Sequence, residues 1–196
     1  ALHSKKNYSA TSADQLPHMF AAYHMFGHQL MVPVPDVNRT AHMVIIGANP
    51  AASNGSLMTA PNMQKRLKDI RKRGGKVVLI DPRRTETAKL ADEHHFIRPG
   101  TDAVFLMAWL NVLVEEIGIQ SGAWEAYTDG VEVVRALASR ITPDKAAPIC
   151  GIKADAIRTI VREATAASSS VVYGRIGVCT QRFGGFGAWL INVINI

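Results

Sequence analysis

Met43-Val44-Ile45-Ile46-Gly47-Ala48-Asn49-Pro50 is an apolar run that breaks into small, turn-forming residues and continues as Ala51-Ala52-Ser53-Asn54-Gly55-Ser56. Four consecutive apolar residues ahead of a glycine read as a strand buried on both faces, as in parallel sheets covered by helices. Ligands of such sheets sit beyond the carboxyl ends of the strands, so the loop from Gly47 to Ser53 is the first candidate site. Gly47 has no Cβ to block close approach, Asn49 offers a donor and an acceptor, and Pro50 limits Asn49 to extended or turn geometry. The loop suits a phosphate or another polar group. It lacks the G-x-G-x-x-G fingerprint of dinucleotide sites.

Outward from this strand the pattern repeats. Thr59 or Asn62 can cap a helix that runs to about Arg73 and stops at Gly74-Gly75, and Lys76 to Asp81-Pro82 is a second buried strand. The pair makes a right-handed βαβ unit. Thr85 can cap a short helix over 87–90, His94 to Ile97 reads as a third strand, and Arg98-Pro99-Gly100-Thr101-Asp102 follows. Thr101 is positioned to cap a helix from Ala103 to Ile117 that is apolar almost all round and therefore central. Thr142-Pro143-Asp144 starts another helix that Gly151 ends, and a further one carries an apolar face from Ala154. Val171-Val172-Tyr173 is the last strand, and it runs into a second glycine loop, Gly174 to Gln181, before a final apolar helix.

The expected class is α/β: a Rossmann-like three-layer domain with a mostly parallel sheet of strands near 43–48, 76–81, 94–97 and 171–176. Both glycine loops then open on one carboxyl edge. Residues 1–40, with a weak helix from about Ala13 to Phe26 closing at Gly27, read as an irregular, helical lead-in to a domain spanning 41–196. The chain starts without Met and stops within an apolar helical pattern, and it is expected to be a piece of a longer polypeptide.

Bulk properties narrow the function. At 196 residues and 47% hydrophobic, the chain is the size of one folded domain. No run approaches the about 18 apolar residues of a membrane span, so no membrane insertion is expected. Cys150 and Cys179 form neither a C-x-x-C pair nor a disulfide framework, and no metal ligand set is assigned; a reducing, cytoplasmic setting fits. His18, His24 and His28 lack accompanying carboxylates or cysteines and read as surface or packing residues. A net charge of +6 permits an anionic partner. The densest basic run, Lys65 to Arg73, falls on a helix without interleaved aromatics and reads as a solvated face, so no nucleic-acid partner is expected.

Three strand ends bring polar groups to the same edge: Gly47 to Ser53, Asp81 to Arg83, and Gly100 to Asp102. A carboxylate after a strand can accept ribose hydroxyls and an arginine can pair with phosphate or lie against a base, roles that Asp81 and Arg83 fit. Asp81-Pro82 can equally just end a strand. Asp102 could serve the helix dipole, an effect of about 0.3–1 kcal/mol. It could equally accept two parallel hydrogen bonds from the N1–H and exocyclic amine of guanine, a face that adenine does not offer. No catalytic constellation is present: His94 and His95 flank no nucleophile, Ser53 and Ser56 lack a base, and Cys179 reads as a small buried residue.

The set Gly47-Ala48-Asn49-Pro50, then Asp81-Pro82-Arg83-Arg84-Thr85-Glu86-Thr87-Ala88, Ala91-Asp92 and Arg98-Pro99-Gly100-Thr101-Asp102 resembles the molybdopterin oxidoreductases of the dimethyl sulfoxide reductase family, formate dehydrogenase-like members nearest. The similarity covers most of residues 40–196. It implies a domain holding one of two molybdopterin guanine dinucleotides that chelate molybdenum or tungsten. Gly47, Asn49, Pro50 and Ser53 would lie at the pyrophosphate or pterin, Asp81 and Arg83 at the nucleoside, and Gly100 and Asp102 at guanine. Gly177, Thr180 and Gln181 would approach the cofactor nearer the metal. The family's cysteine cluster for an iron–sulfur centre, a protein metal ligand and the T-G-N sequence after the last helix are not found in this stretch. The implied enzyme therefore takes its redox chemistry, small-molecule substrate and electron partner through other domains of the same polypeptide, and the stretch alone is expected to be inactive. The alternatives are a nicotinamide-dinucleotide module, with Arg83 and Arg84 on a 2′-phosphate, and a basic nucleic-acid-binding domain.

Overall fold

The computed structural model describes residues 5, 6 and 8–196. The remaining lead-in residues, 1–4 and 7, lie outside it. The described lead-in holds α1 (Thr11–Asp14) and α2 (Leu16–Phe26), the latter closed by Gly27 at φ 78°. The body follows as β1 (His42–Ile46), α3 (Met63–Lys72), β2 (Lys76–Ile80), β3 (Glu93–His95), α4 (Asp102–Asn111), α5 (Val131–Ala138), α6 (Pro143–Cys150), α7 (Ala154–Ala166), β4 (Ser170–Gly174), α8 (Ile176–Cys179) and α9 (Gly184–Ile194).

The four strands form one fully parallel sheet in the order β3-β2-β1-β4. His42 to Ile46 pairs residue for residue with Lys76 to Ile80 on one side and Ser170 to Gly174 on the other. Strand ends fall one or two residues short of the expected ones. β1 stops before Gly47 because that residue turns to φ 56°, where a strand cannot continue.

Alternation along the strands sorts the core into two layers. Val44, Ile46, Val78 and Ile80 pack with Phe105, Trp109, Ile157 and Leu190 on one face, while Met43, Ile45, Val77 and Leu79 pack with Met63, Leu67 and Ile70 on the other. The sheet is thus covered on both faces, which explains the unbroken apolar reading of β1 and β2. α4 is buried on nearly every side, as its composition requires, and it widens into a π-helical turn over Val112–Ile117 before Gly118 ends it. Among the described residues no helix is long and apolar enough to cross a membrane.

Two caps differ from expectation. Asn62, not Thr59, caps α3, accepting from the Lys65 amide, whereas Thr59 sits at φ 46° in the preceding turn. Thr101 occupies the cap position of α4, but its hydroxyl donates to the Arg98 carbonyl at 2.6 Å, closing the turn rather than the helix end.

Candidate functional site

The order β3-β2-β1-β4 has a consequence for ligand binding. The chain leaves β1 toward β2 and β3, then returns to the opposite side of β1 as β4, so β1 and β4 flank a topological switch point, where open α/β sheets bind ligands. Both glycine loops start there. The Gly177 amide donates to the Gly47 carbonyl at 2.8 Å, and a Cβ on Gly177 would lie 2.7 Å from the Gly47 Cα and carbonyl oxygen. A Cβ on Gly47 would in turn meet the Val178 amide at 2.9 Å. The close approach that these glycines permit is therefore of one loop to the other. Gly47 and Gly177 leave no room between them, so a ligand on this edge would have to lie over the joined loops.

The polar residues expected on this edge have distinct situations. Asp81, buried at the end of β2, accepts the Arg83 amide at 2.8 Å on Oδ1, and its main-chain carbonyl meets His94 Nε2 at 3.0 Å. Arg83 and Arg84 are exposed, and among the described residues neither guanidinium forms an ion pair. Asp102 is only 4% exposed and accepts Gln181 Nε2 at 2.8 Å on Oδ2. Gln181 Nε2 also reaches the Gly177 carbonyl at 2.5 Å, while its Oε1 is buried without a donor. Burial pushes both carboxylates above the ordinary range. Gln181 partly offsets this for Asp102, as the Arg83 amide does for Asp81, and Asp81 and Asp102 are close enough to repel. A ligand that brings N–H or O–H donors would relieve this strain.

Asn49 behaves differently from the expectation of a free ligand group. Its Nδ2 donates to Glu86 at 2.7 Å and its Oδ1 accepts the Thr87 amide and hydroxyl, at 3.2 and 2.8 Å. The side chain fastens the 85–89 turn to the β1 loop, leaving mainly backbone to face a ligand. Pro50 is buried beside it, and the Ser53 hydroxyl folds back onto the Asn49 carbonyl at 3.2 Å. Thr180 likewise turns its hydroxyl to the Ile176 carbonyl at 2.8 Å. Gly100, at φ 81° with open space around it, makes the turn that presents Asp102.

Sequence reasoning missed Arg175. Only 6% exposed, it projects from the second glycine loop, donates through Nε to Ser56 Oγ at 3.1 Å and sets Nη2 2.9 Å from both carboxylate oxygens of Asp14. It ties the lead-in and both glycine loops together. Nearby, Tyr173 donates to the Gly55 carbonyl at 3.0 Å and receives the Leu57 amide at 3.2 Å. These contacts hold a segment in which Asn54, Ser56, Thr59 and Asn62 all have positive φ, a concentration of backbone strain of the kind found beside functional sites.

His18 belongs to the same cluster. Burial first, then the Arg175 charge, lowers its pKa from 6.5 to about 4, against the opposing pull of Asp14 and the Gly174 carbonyl. A histidine depressed in the fold contributes full stability above its unfolded pKa and loses it as pH falls through 6.5 toward 4. Between pH 7.5 and 5 the chain should lose about 2 kcal/mol from this residue, and His18→Gln should flatten that slope in urea titrations at the two pH values. An unchanged slope would refute the assignment.

Elsewhere, the basic helix α3 is largely committed to its own chain: Lys65 pairs with Asp69 at 2.6 Å, Arg71 with Asp92 at 2.5 Å, and Arg73 donates to the Thr40 carbonyl at 3.0 Å. Cys150 and Cys179 are buried and reduced, and burial pushes the Cys179 thiol up to about 12, which removes it as a nucleophile. No group of three or more metal-ligating side chains occurs among the described residues.

Known proteins share this chain's fold and part of its sequence. Residues 2–178 match the family model for molybdopterin oxidoreductase. The chain is 28% identical over 152 residues to formate dehydrogenase H of Escherichia coli, covering 78% of this chain and 20% of that protein. It is 33% identical over 168 residues to nitrate reductase of Symbiobacterium thermophilum, covering 81% and 21% respectively. Its fold resembles acetylene hydratase from Pelobacter acetylenicus with a TM-score of 0.80 at 20% identity, over 95% of this chain and 25% of the other. The chain thus spans about a fifth of the length of the curated relatives it matches.

Proposed function

The chain belongs to the molybdopterin oxidoreductase family, and on that premise we propose that it binds one molybdopterin guanine dinucleotide along the carboxyl edge of its sheet, as one domain of a longer redox enzyme. The observation that carries the reading is the convergence of Asp81, Asp102 and Gln181 from three separate segments at that edge, with both carboxylates raised by burial and short of donors. Asp102 would accept the guanine N1–H and amine. Asp81 has Oδ2 for a ribose hydroxyl, and Arg83, which forms no ion pair among the described residues, would pair with phosphate or lie against the base at the nucleoside. The backbone of Gly47 to Ser53 would carry the pyrophosphate, with Pro50 and the Asn49 clamp keeping the loop shaped.

When bound, such a cofactor supplies a dithiolene-held molybdenum or tungsten centre for electron transfer. A second dinucleotide, the protein ligand to the metal, any iron–sulfur cluster, the substrate pocket and the electron partner would belong to the other domains. The reading is tested on the full-length polypeptide. Denaturing extraction should release guanine nucleotide together with molybdenum or tungsten, while the 196-residue chain purified alone should carry no stoichiometric metal. Extraction of a nicotinamide or flavin nucleotide without guanine would contradict the proposal.

A further inference from the structure

Residues 15–35 and 183–196 contain no Asp, Glu, Lys or Arg, in a chain with 22 basic and 16 acidic residues. The two stretches meet in space. α2 packs on α9, and Ala21 and Ala22 are fully buried. Among the described residues only one side of this pair is covered: Leu16, Phe20 and Tyr23 on α2, Leu30 and Met31 after it, and Phe183 ahead of α9 all stand half or more exposed. Between the helices lies a cleft of about 370 Å³ lined by Phe20, His24, Leu137 and the stacked pair Phe186 and Trp189, whose rings are 5.7 Å apart.

A helix facing water carries polar groups on its outer side, and one that is apolar all round is a buried helix. Contiguous apolar surface depleted of charge marks the core of an interface, and an aromatic-lined cleft suits an anchoring side chain from the other side. We propose that the face made by α2, residues 27–35 and the start of α9 is an intramolecular interface, covered by another domain of the same polypeptide. The inference rests on the reading of the chain as one domain of a longer enzyme. The length of the relatives identifies the occupant: about four-fifths of each lies outside the matched region, and a covalently attached domain meets this face at high effective concentration. A separate, charged partner would find no complementary charge on it.

Hydroxyl-radical footprinting of the full-length polypeptide, in buffer free of lipid and detergent, tests this. Labelling rates at Phe20, Tyr23, Leu30 and Met31 are compared with those of the same side chains in the urea-unfolded polypeptide. Burial in an interface should slow them about tenfold or more, and the protection should persist at dilutions where the particle has the mass of one polypeptide. Rates within about twofold of the unfolded reference, the expectation for half-exposed side chains, would overturn the proposal. So would protection lost on dilution, which identifies a second copy as the occupant, or protection gained only with phosphatidylcholine vesicles, which identifies lipid. Nucleotide content of the same preparation separates the two readings. An open face with guanine present refutes the interface alone, and a protected face without guanine refutes the cofactor assignment alone.

Discussion

Asp14→Ala is expected to destabilise the domain by about 3 kcal/mol, or roughly 6–12 °C in Tm for a domain of this size. Arg175 keeps 7% of its side-chain surface exposed, and among the described residues Asp14 supplies its only carboxylate. Removing that carboxylate leaves a buried guanidinium with Ser56 Oγ as its remaining side-chain partner, and Nη1 already has none. The cost comes from the stranded charge more than from the lost pair, so the double change Asp14→Leu with Arg175→Met should recover much of it. Asp14 is itself 25% exposed, which holds the figure at the lower end of the range for buried pairs. Thermal unfolding of the three proteins checks this. A loss below about 1 kcal/mol for Asp14→Ala would mean that water reaches Arg175 and that the lead-in is not anchored there.

The second large effect is on cofactor retention. On the proposed reading, Asp102→Ala in the full-length polypeptide removes the acceptor of a charge-assisted, bidentate contact to guanine and strands those donors, while Gln181 Nε2 keeps only the Gly177 carbonyl. That costs about 1–3 kcal/mol, or roughly five- to 150-fold in affinity. The fold should survive, because α4 is held by Phe105, Leu106 and Trp109 in the core and not by its first residue. Asp102→Asn, which keeps one acceptor but introduces a donor facing donors, should recover little. Unchanged guanine retention would reduce Asp102 to a helix-start carboxylate, and a large loss of domain stability would make it structural.

The fold was legible because its decisive signals are local. β1 from Met43 and β2 from Val77 are unbroken apolar runs, and each leads directly into turn-forming residues, Gly47 and Asp81-Pro82. Asn62 and Gly74 punctuate the helix between these strands, and Gly118 and Gly151 end helices farther along, all four at positive φ in the structure. Of the candidate site, what was legible is the position of single carboxylates, Asp81 just after β2 and Asp102 at the start of α4. The site was not legible where the decisive contact joins distant segments. Asn49 looks like a ligand group until its partners, 37 and 38 residues away, are seen. Arg175 and Asp14 are 161 residues apart, and no spacing rule connects them. The available signal was a single charge between Gly174 and Gly177 in an otherwise apolar strand end, since a buried charge requires a partner. Gln181 was expected toward the metal, and its pairing with Asp102 depends on how α8 turns the second glycine loop back over α4.

The central claim is that the edge between β1 and β4 holds the guanine end of the cofactor, and a crystal structure of the full-length polypeptide with its native cofactor tests it most directly. The account predicts guanine N1 and N2 within about 3.2 Å of the Asp102 carboxylate and a pyrophosphate over the Gly47 to Ser53 backbone. A guanine bound elsewhere, with Asp102 still paired only to Gln181, would contradict it.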